Sequence, residues 1–157
     1  MDVGCGVEAD FLFSIAGRIR EGVGIDKKVG AVSRGNIKLY KWQFTDTLPF
    51  QDESFDMVTM MAVLEHLEYP ESVMVEIHRV LKQGGRLLMT VPTPAAKSIL
   101  EFLAFRLGII SRDEIADHKK YWEEKDIYSL CQNTGFSIGR YKKFQFGFNS
   151  FLLAIKR

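Results

Sequence analysis

Short apolar runs alternate along this chain with stretches of helical periodicity. Three runs, at residues 18–26, 55–61 and 86–91, have the character of β-strands. Strands that are buried on both faces carry nearly continuous apolar runs, whereas strands with one exposed face alternate apolar and polar residues. The three runs therefore predict buried strands of a mostly parallel sheet.

A clear helical pattern covers residues 70–82, where Val73 and Ile77 begin an apolar stripe. Pro70 suits the first position of a helix, and Gly84-Gly85 is predicted to end it. Helices of this length between strands indicate βαβ units, in which helices cover both faces of the sheet. The chain is therefore predicted to have an α/β fold.

The last part of the chain has a different pattern. Two β-type runs, at residues 136–146 and 150–157, are joined by Gly147-Phe148-Asn149, which predicts a terminal antiparallel hairpin. The sheet is therefore predicted to be mostly parallel with one antiparallel strand. Because no repeat or linker-like composition divides the 157 residues, a single domain is expected.

Composition narrows the class of protein. The chain is 46% apolar and 26% charged, which excludes a disordered or collagen-like chain. The net charge is +1, so no nucleic-acid partner is expected. Cys5 and Cys131 fit no metal-ligand spacing and indicate a reducing compartment, so a cytoplasmic location is expected. The longest apolar stretch, residues 99–110, is too short to span a bilayer, so no stable membrane insertion is expected.

Glycines near the start of the chain indicate a ligand site. Gly4 and Gly6 stand at a predicted strand-to-helix turn, where a ligand can approach the backbone and free N–H groups favour anionic groups. Asp26 ends the run at 18–26, twenty positions after Gly6, and can bind both ribose hydroxyls of a nucleotide. This arrangement predicts a nucleotide-shaped pocket, although the glycine pair alone also fits a tight turn without a ligand.

An ordered series of further motifs runs through the chain. In chain order these are Leu48-Pro49-Phe50, Ser54-Phe55-Asp56, Leu64-Glu65-His66, Gly84-Gly85, Thr90-Val91-Pro92, residues 118–122 and Gly135-Phe136. The series resembles the class I S-adenosylmethionine-dependent methyltransferases, and most closely their small-molecule group, methyltransferase type 11. The resemblance implies a Rossmann-like fold, S-adenosylmethionine as cofactor, S-adenosylhomocysteine as product and a small-molecule methyl acceptor.

The resemblance also implies roles for individual residues. The glycine loop would pass beneath the methionyl part of the cofactor, Asp26 would bind the ribose hydroxyls, and Lys27 would flank the adenine. Met61 and Ala62 would line the methionyl pocket, and which of residues 43–46 faces the adenine stays open. The implied cofactor-binding residues are Asp2, Gly4, Cys5, Gly6, Asp26, Lys27, Thr45, Asp46, Met61, Ala62 and Glu65.

Three departures from the family pattern stand beside these matches. Glu8 stands where the family has a further glycine; its carboxylate would repel the carboxylate of the cofactor, pair with its ammonium group, or act as an ordinary acidic residue of a first helical turn. The chain starts at Met1-Asp2, so the first strand is expected to be shortened and the segment that covers the substrate to be absent. Some relatives bind a divalent metal through a carboxylate three positions before the Glu-His pair; that position is Ala62, so no metal is expected.

Two histidines are candidates for catalysis. Methyl transfer depends chiefly on in-line positioning, and a general base adds about 10²–10⁴-fold where the acceptor is a hydroxyl. His66 lies where the pocket is expected to open, and His118 would enter from the far wall, but a structural role is open for both. His78 lies beside the apolar stripe of its helix and is predicted to be at the surface.

Other interpretations remain open at this point. Residues 99–110 either cap an apolar acceptor or pack on the core or on a second subunit, which would make the protein a homodimer. Gly4-x-Gly6-x-x-Ala9 together with Asp26 also matches the fingerprint of NAD-binding oxidoreductases. A third alternative is a methyltransferase-like domain without turnover, because Glu8 and the shortened first strand would weaken cofactor binding.

Overall fold

A computed structural model describes residues 1–43, 47–101, 104, 106 and 116–157, and eight strands in these residues form one sheet. The strands are β1 (Asp2–Val3), β2 (Gly22–Asp26), β3 (Val32–Arg34), β4 (Ile37–Lys41), β5 (Phe55–Met61), β6 (Leu81–Pro92), β7 (Phe136–Phe144) and β8 (Asn149–Lys156). The helices described are α1 (Asp10–Ile15), α2 (Pro70–Val80), α3 (Lys97–Glu101) and α4 (Glu124–Asn133).

The strands lie in the order β3-β4-β2-β1-β5-β6-β8-β7. β2, β1, β5 and β6 are parallel to their neighbours in this order, as the continuous apolar runs predict. β4 is also parallel to β2, but it alternates buried and exposed residues and lies in none of the predicted runs. β8 is antiparallel to both β6 and β7, which confirms the predicted hairpin and its reversed strand. One more short strand, β3, pairs antiparallel with β4. The sequence analysis did not include β3 because its three residues are exposed and form no apolar run.

Helices cover the sheet over two apolar clusters. Leu12 of α1 packs in a cluster with Ile37 and Leu39 of β4. The larger cluster includes Ile77 of α2, Ile127 of α4 and the inner strands. Three successive residues of β5, Val58 to Met60, are buried, which is possible only where both faces of a strand are covered. The predicted α/β fold is therefore confirmed.

Helix α2 begins at Pro70 as predicted, but the prediction of its end is wrong. It stops at Val80, before Gly84-Gly85, and Leu81 has extended backbone with ψ 140°. Leu81 is fully buried and pairs with Phe55 in the parallel ladder, so sheet pairing draws the chain out of the helix before the glycines are reached.

His78 is not the surface residue that the sequence predicts. Its ring is partly buried and packs edge-on against Phe136, with the ring centroids 5.2 Å apart. Burial lowers the pKa of this histidine, and the charge of Lys156 acts in the same direction. The side chain therefore helps to join α2 to the C-terminal hairpin.

Arg79 ties the loop before β5 to helix α2. Its guanidinium donates to the carbonyl oxygens of Phe50 (2.8 Å) and Leu48 (3.0 Å). It also forms ion pairs with Glu76 and Asp52, and the hydrogen bond from Arg79 lowers the pKa of Glu76. One side chain thereby holds the Leu-Pro-Phe motif in place.

The two longest described helices, α2 and α4, have 11 and 10 residues. Among the described residues, no helix is both long enough and apolar enough to cross a membrane.

Candidate functional site

The glycine loop follows β1 at the centre of the sheet. The chain passes from β1 to β2 on one side and later to β5 on the other, so a crevice opens at this point. Gly4 and Gly6 have φ angles of +73° and +71°, in the left-handed region that favours glycine. A Cβ on Gly4 would overlap the side chain of Val63, whereas a Cβ on Gly6 would face open space. The loop is therefore packed against Val63 at Gly4 and has open space beside it at Gly6.

Asp26 lies at the end of β2 beside this loop. Its Oδ2 accepts a hydrogen bond from the backbone N–H of Gly6 (3.0 Å), and its Oδ1 accepts one from Lys28 N–H (2.7 Å). Each carboxylate oxygen accepts two hydrogen bonds, so these contacts orient the group and leave capacity for ligand hydroxyls. The predicted neighbourhood of Gly6 and Asp26 is thus present in the structure.

Asp2 supplies a second carboxylate beneath the loop. It is 3% exposed, and its Oδ1 accepts a hydrogen bond from Thr59 Oγ1 (2.5 Å). Burial raises the pKa of Asp2 to about 6, and the negative charge of Asp26 adds to the increase. Burial likewise raises the pKa of the Cys5 thiol to about 12, with Asp2 and Asp26 contributing. Asp2, Asp26 and the Cys5 thiol therefore lie close enough to the loop to influence one another.

We expect Asp2→Asn to stabilise the fold at pH 8 by about 1–3 kcal/mol. The folded pKa of about 6 exceeds the ordinary value of 3.8, so the contribution of Asp2 to stability is present below pH 3.8 and lost as the pH rises through 6. Asparagine keeps an acceptor for Thr59 but carries no charge.

Urea unfolding of both proteins at pH 4.5 and pH 8 measures this effect. The advantage of the variant should be large at pH 8 and small at pH 4.5, and the exposed Asp10→Asn serves as control. Equal advantages at the two pH values would show that the charge of Asp2 is not the cause.

The end of β5 forms the other side of the crevice. Met61 is partly buried, and Ala62 follows with a φ of 53°, which is uncommon for a residue with a side chain. The N–H of Ala62 donates to Thr90 O (2.9 Å), so the strained turn is held to β6. A short 3₁₀ turn, Leu64–His66, follows, and its Leu64 and Glu65 are buried.

Glu65, His66 and His118 come together beyond this turn, and we refer to them as the Glu-His-His cluster. One ligand-type atom of each residue lies within 4.8 Å of those of the other two. The rings of His66 and His118 meet edge-on with centroids 4.7 Å apart. Lys119 N–H donates to Glu65 O (2.7 Å), which fixes the segment of His118 against the 3₁₀ turn. The two candidate catalytic histidines are therefore neighbours.

The Glu65 side chain is buried at the centre of this cluster. It is 1% exposed, and its Oε2 has no hydrogen-bond partner among the described residues. Burial raises its pKa to about 7. Its carboxyl group therefore lies in the cluster rather than in the open space above the glycine loop.

Asp117 joins the cluster to the predicted adenine side of the pocket. Its Oδ2 lies 3.4 Å from His66 Nδ1 and 3.8 Å from Lys27 Nζ, and its Oδ1 lies 3.3 Å from Lys119 Nζ. Partial burial alone would raise the pKa of Asp117, but these neighbours outweigh it and lower the pKa. The sequence analysis did not single out Asp117 as a site residue, and its position next to His118 was the available signal.

A cavity of about 710 Å³ opens beside the cluster. Its lining includes His118, Tyr121 and Lys97. Because one of the two candidate catalytic histidines lines it, this cavity is a candidate acceptor site. Of the predicted acceptor cap at residues 99–110, positions 102, 103, 105 and 107–110 lie outside the described residues, as do the predicted adenine contacts Thr45 and Asp46.

Glu8 is not the acidic residue of a first helical turn, which was one of its three interpretations. Helix α1 begins at Asp10 and has Ala9 at its N-cap with a φ of 48°. Glu8 therefore precedes the helix, and Asp10 is the acidic residue of the first turn. Glu8 is exposed, so its carboxylate faces solvent at the mouth of the loop.

Comparisons with known proteins agree with this geometry. Residues 1–89 match the family described as "Methyltransferase domain". A ubiquinone/menaquinone biosynthesis C-methyltransferase of Desulfotalea psychrophila is 35% identical over 68% of this chain, which spans 50% of the length of that relative. A demethylmenaquinone methyltransferase of Tropheryma whipplei is 26% identical over 94% of this chain and 70% of its own length. An S-adenosylmethionine-dependent methyltransferase of Mesorhizobium loti shares the fold with a TM-score of 0.77 at 14% identity, over 99% of this chain and 89% of that one.

Proposed function

The chain belongs to the methyltransferase domain family, and on that premise we propose that it transfers a methyl group from S-adenosylmethionine to a small-molecule acceptor. The names of the two relatives support an apolar ring of the quinone class as this acceptor. The cavity beside His118 and Tyr121 supplies both polar and aromatic surface for such a ring.

The position of Asp26 beside the open glycine loop is the observation that carries this proposal. S-adenosylmethionine would supply an electrophilic methyl group on a sulfonium ion. Its ribose hydroxyls would bind Asp26, and its methionyl part would lie at the glycine loop near Asp2. The open space beside Gly6 leaves room for the ligand to approach the protein backbone. Asp26 would suit the ribose of a dinucleotide as well, so the family match over residues 1–89 and the reversed strand β8 are what favour the methyltransferase over the NAD-binding alternative.

Proton transfer is assigned to the two histidines. As the acceptor forms its bond to the methyl group, the bond from methyl to sulfur breaks and the acceptor loses a proton. His66 and His118 are proposed to receive this proton, because His118 lines the cavity and the ring of His66 packs against that of His118. A general base of this kind contributes about 10²–10⁴-fold to the rate.

Thermal unfolding with and without ligand tests the cofactor. We expect S-adenosylmethionine and S-adenosylhomocysteine at a hundred times their dissociation constants to stabilise the fold by about 2.7 kcal/mol, or roughly 5–10 °C, and NAD to have no effect. A shift with NAD alone would replace the proposal with the oxidoreductase alternative.

Turnover is tested separately from binding. Release of S-adenosylhomocysteine is measured with a demethylated quinol as acceptor, and Asp26→Ala serves as the cofactor-binding control. If the protein binds S-adenosylmethionine but releases no S-adenosylhomocysteine with hydroxylated, amino or carbon acceptors, the alternative of a methyltransferase-like domain without turnover is favoured.

A further inference from the structure

The Glu-His-His cluster contains more ligand-type groups than methyl transfer requires. We propose that Glu65, His66 and His118 bind a divalent transition-metal cation of the zinc class, through one carboxylate oxygen and one nitrogen of each imidazole. The expectation of no metal rested on Ala62 alone, and the structure supplies a different third residue. Binding of the ion does not depend on the proposed methyl transfer. A ring nitrogen that coordinates the ion cannot also receive a proton, so in the metal-bound protein the two histidines would hold the ion instead of acting as general bases.

Burial of the Glu65 carboxyl group is the first argument for an ion. The residue is 1% exposed, and Oε2 has no hydrogen-bond partner in the described part of the chain. Buried charged groups in proteins are ordinarily paired, hydrogen-bonded or coordinated to a metal. Two imidazoles are the groups that meet this carboxylate, and both are metal ligands when neutral.

The spacing of the three residues is the second argument. Ligands of one zinc-class ion, each about 2.0–2.2 Å from it, lie about 3–4 Å apart. The ligand-type atoms of the cluster lie within 4.8 Å of one another. Side-chain movements of about an ångström would therefore bring all three to the distance that one ion requires. The backbone hydrogen bond from Lys119 to Glu65 already holds the two segments together without using a ligand group.

The surroundings of His66 provide the third argument. Histidines that bind metals usually direct their other ring nitrogen at a carboxylate or carbonyl, which sets the ring orientation. Asp117 Oδ2 lies 3.4 Å from His66 Nδ1 without a hydrogen bond between them, so a small rotation of the ring would let this carboxylate become such a partner. Lys27 and Lys119 lie within ion-pair distance of Asp117, so their charges are partly balanced at the outer edge of the cluster.

The ligand set selects the class of ion. Mg²⁺ and Ca²⁺ prefer sites made of oxygen atoms, whereas two imidazoles with one carboxylate suit Zn²⁺ and similar first-row cations such as Co²⁺. Three protein ligands would leave a coordination position open, and the cavity lined by His118 offers room for a further ligand. If the proposed methyl transfer is correct, a hydroxyl or carbonyl oxygen of the acceptor would bind there, which would lower the pKa of a hydroxyl before methylation.

Titration of the metal-free chain with Co²⁺, followed by its visible absorption, tests the site. We expect one ion per chain, displaced by Zn²⁺ and not by Mg²⁺. Because even the loss of an outer-shell partner reduces metal affinity by about 10–100-fold, Glu65→Gln and His118→Gln should each reduce it by about 100-fold or more. His78→Gln is the matched control, since it removes a partly buried histidine elsewhere and should leave the affinity unchanged.

Two outcomes would overturn the site. Unchanged Co²⁺ affinity in both cluster variants would place the ion elsewhere, and equal displacement by Mg²⁺ would exclude the proposed ligand set. Should Glu65→Gln fail to fold, His118→Gln, which alters a less buried residue, still decides the question. The thermal shift with S-adenosylmethionine is measured with a chelator present, so failure of the metal site and failure of the cofactor assignment are separate results.

Discussion

Asp26→Ala is expected to lower the affinity for S-adenosylmethionine by about 100-fold or more while the protein stays folded. Each hydrogen bond from a ligand hydroxyl to a charged carboxylate contributes about 1.5–3 kcal/mol, and two of them would be lost. The variant also removes the acceptor of Gly6 N–H, so the loop itself would be less well ordered.

Isothermal titration with both cofactor forms distinguishes the role of Asp26. The ribose is common to S-adenosylmethionine and S-adenosylhomocysteine, so both affinities should fall equally. A loss confined to S-adenosylmethionine would instead place this carboxylate near the sulfonium group. Asp10→Ala, an exposed acidic residue of α1, is the control, and an unchanged affinity in folded Asp26→Ala would contradict the pocket assignment.

Gly4→Ala is expected to destabilise the fold by about 2–5 kcal/mol. The left-handed φ of +73° costs a residue with a Cβ about 1–2 kcal/mol. The Cβ would also overlap Val63, which is only 8% exposed, and overpacking of this kind costs about 1–3 kcal/mol.

Matched glycines separate the two contributions to this loss of stability. Gly35 has a φ of +60° and open space around its Cβ position, so Gly35→Ala should show the conformational strain alone in urea unfolding. Val63→Ala combined with Gly4→Ala should recover part of the difference, because it removes the overlapping methyl groups. Equal losses for Gly4→Ala and Gly35→Ala would show that Val63 is not the obstacle. Gly6→Ala should resemble Gly35→Ala in stability and still weaken cofactor binding.

Several features of the fold could be predicted because they depend on local sequence. The run at residues 55–61 coincides with β5, since a strand covered on both faces requires apolar residues at successive positions. The neighbourhood of Gly6 and Asp26 was likewise predictable, because a strand, a helix and a second strand bring these positions to the same edge of the sheet.

Features that depend on distant packing could not be predicted. The end of α2 is set by burial of Leu81 against Phe55, which outweighs the local signal of Gly84-Gly85. The hydrogen bond between Thr59 and Asp2 joins residues from separate strands. The approach of His118 to Glu65 likewise has no local signature.

The position of β8 has a consequence for how the molecule reaches its folded state. Among the eight described strands this one comes last in sequence order, yet it lies inside the sheet between β6 and β7. Until it arrives, β6 presents an open row of backbone N–H and C=O groups, which can pair with another molecule. Pairing between segments distant in sequence is intrinsically slow, so partly folded chains expose this edge for longer than a sheet built from adjacent hairpins would. Recovery of the protein from denaturant is then a competition between insertion of β8 and aggregation along β6.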